Sequence, residues 1–139
     1  MNTDHVQAVT EELRATLTGR FFGRIFQLSP LSFAFDLGLR GEFLYVSVDP
    51  ASPRLYLIRR KTRDLEKQSV AVGAFGQLMR SALTGASVIG IAKDPLDRVV
   101  RFTLHSDGIF RRLVVQLTGR TADLFMLDEL NRVTAALRE

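Results

Sequence analysis

The chain contains no cysteine and no tryptophan, and only two histidines, two tyrosines and four prolines among its 139 residues. Without cysteine there is neither a disulfide framework nor a thiolate metal site, which agrees with a cytoplasmic location. His5 and His105 lie in different segments with no carboxylate at metal-ligand spacing, so both read as surface or capping residues and no metal is expected. No apolar run approaches the roughly 18 residues a membrane helix needs, and Met1-Asn2-Thr3-Asp4-His5 has neither the basic nor the apolar region of a secretory signal. A Gly-x-Ser-x-Gly elbow, a Walker loop and a dinucleotide fingerprint are also missing, and the acids are scattered rather than paired. These absences argue against an enzyme and against a small-molecule substrate or cofactor.

What is present is an ordinary globular balance, 46% hydrophobic and 24% charged, enough for one domain over residues 1–139. Asp4 to Leu17 carries Val6, Val9, Leu13 and Leu17 on one helical stripe, with Asp4 placed as N-cap, Gln7 in a capping-box position and Gly19 behind. Short strands follow at Phe21–Gln27, Leu31–Leu37, Phe43–Val48 and Leu55–Arg59, separated by Ser29-Pro30, Gly38, Gly41 and Asp49-Pro50-Ala51-Ser52-Pro53. Leu31, Phe33, Phe35 and Leu37 alternate with Ser32, Ala34 and Asp36 as in a half-buried strand. Helical spacing returns over Val70–Leu83, although Gly73 and Gly76 each cost about 1 kcal/mol relative to alanine. Strands are then predicted at Ser87–Ala92, in a hairpin about Asp107-Gly108 and at Leu124–Leu127, with a strand or short helix at Arg132–Leu137. The expected fold is α+β, a β-sandwich flanked by two helices.

The hairpin fixes a register. Asp107-Gly108 suits a two-residue type I′ turn, which pairs Phe102 with Leu113 and Val100 with Val115 on one face. Arg101 and Thr103 fall on the other face. Extending the ladder sets Arg98 opposite Leu117 and Asp97 opposite Thr118, so Asp97, Arg98 and Gly119-Arg120 are expected at one end of the hairpin. Since Arg98 shares the inward set, its guanidinium should turn towards that end. Asp97 and Arg98 read either as an ion pair closing the sandwich or as a functional pair.

Charge is uneven. Residues 54–80 carry a net +5 while the whole chain carries +4, and Arg59-Arg60-Lys61-Thr62-Arg63 is the densest part. Such a field suits a polyanion, RNA above all, or simply a solvated loop.

Five segments in order carry a resemblance: Leu17-x-Gly19-Arg20-x-x-Gly23-Arg24-Ile25-x-Gln27-x-Ser29; Asp49-Pro50-x-x-Pro53-Arg54-Leu55-x-Leu57; Phe75-x-x-Leu78-x-Arg80-x-x-Leu83-x-Gly85-Ala86; Leu96-Asp97-Arg98-Val99-Val100-Arg101-Phe102; and Val115-Gln116-Leu117-x-Gly119-Arg120. Together they resemble the amino-terminal part of the NFACT family, also known as the fibronectin-binding protein A family, although the histidine common beside Val48-Asp49-Pro50 is absent. The resemblance implies a sandwich similar to the amino-terminal domain of formamidopyrimidine-type DNA glycosylases, with Asn2 where those enzymes have a proline nucleophile. It also implies the amino-terminal fragment of a longer, non-enzymatic factor that binds tRNA and the large ribosomal subunit and supports untemplated tailing of stalled nascent chains. The family's Asp-Arg pair maps onto Asp97 and Arg98, and an amino-terminal acid onto Asp4. Arg120 would add charge beside the pair, and Arg59, Arg60, Lys61 and Arg63 would attract the RNA backbone. The alternatives are a protein-interaction or adhesion module of fibronectin-binding type and an inactive glycosylase-like nucleic-acid-binding domain.

Overall fold

The structure, a computed structural model described over residues 1–138, consists of two antiparallel sheets and three helices. Helix α1 spans Thr3–Leu17 and leads into a four-stranded meander, β1 (Ile25–Ser29), β2 (Ser32–Phe35), β3 (Glu42–Ser47) and β4 (Arg54–Arg59). Helices α2 (Thr62–Gln68) and α3 (Ala74–Leu83) connect this to a five-stranded meander, β5 (Ser87–Lys93), β6 (Val99–Ser106), β7 (Ile109–Gln116), β8 (Asp123–Leu127) and β9 (Val133–Ala136). A 3₁₀ turn, Gly119–Thr121, separates β7 from β8. Among the described residues no helix is long and apolar enough to cross a membrane.

One buried cluster joins the sheets. Phe33, Phe35, Leu44 and Val46 come from the first, and Val100, Phe102, Leu113 and Val115 from the second. Leu13 and Leu17 of α1 and Met79 and Leu83 of α3 complete it. Each such side chain contributes roughly 1.5–3 kcal/mol when removed from water. Phe22 and Phe35 meet edge to face at 5.6 Å, the geometry their ring quadrupoles favour.

The β6–β7 ladder is as the turn chemistry dictates, with Phe102 on Leu113, Val100 on Val115 and Ser106 on Ile109. Asp107 and Gly108 both have positive φ, 52° and 76°, as a type I′ turn requires.

Several expectations need correction. The helices number three, not two, because part of the basic stretch read as a loop winds into α2, where Leu65 is buried. The predicted helix over Val70–Leu83 begins only at Ala74; Gly73 is its N-cap, and Val70 N donates instead to Gln27 O at 2.9 Å. Asn2, not Asp4, caps α1: its Oδ1 accepts from His5 N at 2.8 Å, while Gln7 turns outward to Glu11. The strand read from Phe21 starts at Ile25, with Phe21 making only an isolated bridge to Ser87. Strand β2 is buried on both faces, because Leu65 of α2 packs with Phe26, Ala34 and Phe43 over the face that alternation left to solvent. At the carboxyl end the strand alternative holds, as β9.

Candidate functional site

The segment Asp94-Pro95-Leu96-Asp97 connects β5 to β6. Asp94 N donates to Val99 O at 2.9 Å, and the turn is tight enough to drive Leu96 to φ 58° with its side chain 97% exposed. A leucine in the left-handed region stores backbone strain of order 1–2 kcal/mol.

Asp97 and Arg98 do not form an ion pair. Asp97 Oδ1 accepts from the backbone N–H of Arg98 at 2.8 Å, while the Arg98 guanidinium leaves the other way, its Nη1 donating to Met1 O at 3.4 Å. The cause is strand geometry: successive residues point to opposite faces, and Arg98 shares the inward set of Val100 and Phe102. The arginine therefore bends along the rim of the core to the start of α1, as its inward position demands. The reading of Asp97 and Arg98 as an ion pair closing the sandwich is corrected.

The ion pair at this end is Asp94 with Arg101. Nε and Nη2 of Arg101 donate to the two carboxylate oxygens at 2.8 and 3.0 Å, a fork that adds directional strength to charge attraction. These hydrogen bonds, with lesser help from the charges of Arg101 and Lys93, hold the Asp94 carboxyl below its ordinary range, and the same contact raises Arg101. Pairing β5 with β6, Ala92 on Arg101 and Lys93 on Val100, would have shown Asp94 within reach. Asp94, Asp97 and Arg101 rim a groove of about 430 Å³ on the outer face of the second sheet, with Val99, Val114 and Phe125 in its lining.

Arg120 is brought to the same end. Leu117 N donates to Arg98 O at 2.8 Å, which continues the expected register past the formal strand ends, and Arg120 stands exposed in the 3₁₀ turn that follows. Asp4 is exposed in the first turn of α1, three positions after the Met1 carbonyl that Arg98 holds.

The basic run lies elsewhere. Arg59 ends β4, Lys61 is the N-cap position of α2 and Arg63 lies in its first turn; with Arg60, all are exposed. Met1 Sδ accepts from Leu55 N at the opposite end of β4, so the strand rise separates the two patches by roughly 13–15 Å. They are two sites, not one.

Sequence reasoning passed over a third feature. On the outer face of the first sheet Tyr45 of β3 and Tyr56 of β4 are direct cross-strand partners, their rings stacked at 5.7 Å and 28°. The Arg54 guanidinium lies 5.6 Å above the Tyr45 ring, and its buried Nε has no hydrogen-bond partner among the described residues. The pair stabilises the β3–β4 hairpin by about 0.2–1 kcal/mol. Its signal was available: the only two tyrosines of the chain flank the Asp49–Pro53 turn. Among the described residues no group of three or more His, Asp or Glu side chains could hold a metal ion.

Comparison with known proteins gives a family and a fold. The family model described as NFACT N-terminal and middle domains matches residues 4–139. The N-terminal domain of the fibronectin-binding protein PavA from Streptococcus pneumoniae superposes with a TM-score of 0.85 at 19% identity, covering 97% of this chain and 52% of that one. The N-terminal part of the fibronectin/fibrinogen-binding protein from Streptococcus suis gives 0.83 at 22% identity, covering 96% and 51%. A fibrinogen-binding protein from Staphylococcus aureus gives 0.79 at 19%, covering 95% and 48%. The chain thus spans about half the length of these solved structures. No curated protein matches it.

Proposed function

Because this chain belongs to the family of NFACT N-terminal and middle domains, we propose that it is the RNA-binding module of a ribosome-associated quality control factor. In this reading it contacts tRNA and the large ribosomal subunit in the cytoplasm, performs no chemistry itself, and supports untemplated tailing of stalled nascent chains. It uses a sheet scaffold of the kind that opens formamidopyrimidine-type glycosylases, as a binding surface only.

The observation that carries the reading is the separation of Asp97 from Arg98. A buried or mutually satisfied pair would be structural. Here the Asp97 carboxylate stands exposed on a groove and, among the described residues, takes a single hydrogen bond, from its neighbour's backbone. Arg98 is half-buried and Arg120 exposed in the turn that follows the strand paired with it, so two guanidinium groups at this end would serve charge-assisted contacts to phosphate or base edges. Asp97 can accept from a base amino group, and Asp4 extends the same end of the molecule. Arg59, Arg60, Lys61 and Arg63 add sequence-independent attraction from a second patch.

The test uses the full-length protein. Replacing Asp97 and Arg98 with alanine should abolish tRNA-dependent tailing while lowering stability by no more than about 1 kcal/mol, because neither makes an ion pair among the described residues. A variant that unfolds, or one that tails normally, would refute the assignment.

A second reading rests on the names of the neighbours, of which one is called fibronectin-binding, one fibronectin/fibrinogen-binding and one fibrinogen-binding. Immobilised fibronectin and labelled tRNA presented to the same chain distinguish the two: capture by fibronectin without tRNA binding would favour adhesion.

A further inference from the structure

We propose that the outer face of the four-stranded sheet, between Tyr45, Tyr56, Arg54 and Arg60, is a stacking site for single-stranded RNA, separate from the Asp97–Arg98 end. The proposal rests on the RNA-binding reading above and, starting from Arg60 of its basic patch, names an aromatic surface which that reading does not use.

Residues 54, 56, 58 and 60 fall on one side of β4 and its extension, so Arg54 and Arg60 bracket the Tyr45–Tyr56 pair across roughly 20 Å. The groove they line holds about 330 Å³, with Ser32 and Gln68 supplying neutral hydrogen-bonding groups. No carboxylate is among its described lining residues, so nothing there neutralises the arginines or repels phosphate. Arg54 is the informative side chain. Its guanidinium is held over Tyr45, and its Nε lies buried with an unused proton. A buried charged donor without an acceptor is costly, and an oxygen ligand in the groove would satisfy it. Both tyrosines are only half-buried, and with Tyr56 and the Arg54 guanidinium already against the Tyr45 ring, the Tyr56 ring is the one that would receive a base. Helix α2 covers only the neighbouring part of this face, where Leu65 packs on Phe26 and Phe43, and the tyrosines lie outside that cover. Aromatic rings flanked by arginines and free of acids match the requirements of a single strand: stacking for the bases, charge for the backbone.

The chain itself supplies the reporter, because Tyr45 and Tyr56 are its only tyrosines. Ring-labelled tyrosine gives two sets of NMR signals, both from this groove. Titration of the chain with a short oligouridylate should shift both, whereas inorganic polyphosphate of the same charge should shift them far less. Tyr56→Leu should weaken oligouridylate binding by about 5- to 150-fold and Tyr56→Phe should retain it, since stacking needs the ring and not the hydroxyl. Arg54→Gln provides a second route to loss if Tyr56→Leu fails to fold.

Unmoved tyrosine signals in a chain that still binds oligouridylate, followed by anisotropy of the labelled RNA, would overturn the site and leave the RNA-binding reading standing. Equal shifts with polyphosphate would reduce the groove to a charge site and overturn base stacking. A chain that binds neither oligouridylate nor tRNA would overturn both this inference and the reading beneath it.

Discussion

Replacing Gly76 with alanine sets helix propensity against packing, and packing should win. Gly76 is buried inside α3, where alanine would favour the helix by about 1 kcal/mol. Its added methyl would lie 2.6 Å from Val72 Cγ1 and 2.9 Å from Gln27 Oε1, distances at which something must move. Val72 sits in a connecting segment and can yield. Gln27 cannot do so freely: it is 5% exposed, its Oε1 accepts from Gly73 N at 2.8 Å and its Nε2 donates to Ser29 O at 3.2 Å. Displacing that amide strands the N–H at the start of α3, a loss of about 1–3 kcal/mol. Overpacking adds roughly 1–3 kcal/mol. After the propensity gain the net loss should be about 1–5 kcal/mol, a fall in Tm of roughly 3–15 °C for a chain of this size. Thermal melting followed by circular dichroism measures it directly. Gln27→Ala in the Gly76→Ala background should cost less than Gln27→Ala alone, because the clash and the lost hydrogen bond share one side chain. A Gly76→Ala protein that melts at or above the parent temperature would refute the reasoning.

Replacing Arg59, Arg60 and Lys61 together with alanine should flatten the salt dependence of RNA binding by roughly 2–3 units of log–log slope, read from titrations at several salt concentrations; an unchanged slope would return the run to a solvating role. Because the Asp94 carboxyl is held below its ordinary 3.8 by Arg101, its contribution is fully present above that value and is lost as pH falls through the lowered folded one. Asp94→Asn should therefore lose up to about 1 kcal/mol in denaturant titrations at neutral pH, with the gap to the parent closing in acid. Replacing Gly108, at φ 76°, with valine should destabilise the β6–β7 hairpin by about 1 kcal/mol or more, visible as a lower urea midpoint, since a β-branched residue resists that conformation.

Where local chemistry dictates geometry, the amino-acid order was legible. Asp107-Gly108 set the β6–β7 register, and that register placed Arg98 beside Leu117 before any coordinates were needed. What stayed hidden depended on partners distant in the chain. The second face of β2 is buried only because Leu65 of α2 packs there, and no alternation pattern records a helix arriving from thirty residues away. Val88 and Ile91 both face inward although three positions apart, because a bulge at Ile89 shifts the β5–β6 register. At the candidate site, adjacency misled: Asp97 and Arg98 look like a pair in the chain, yet side-chain alternation sends them apart and joins Asp94 to Arg101 across the hairpin.

Every strand in both sheets pairs with its immediate neighbour in the chain, so neither sheet needs a long-range crossover to form. The consequence concerns synthesis. As the chain leaves the ribosome, the first meander can assemble hairpin by hairpin before any of the second has been made, and short loops keep the entropy of closure small. Helix α1 is the exception, because its stripe packs against β5, some seventy residues downstream, and Arg14 Nε donates to Ile91 O at 2.9 Å. This helix, made before either sheet, must therefore keep much of its apolar face open to chaperones until β5 arrives.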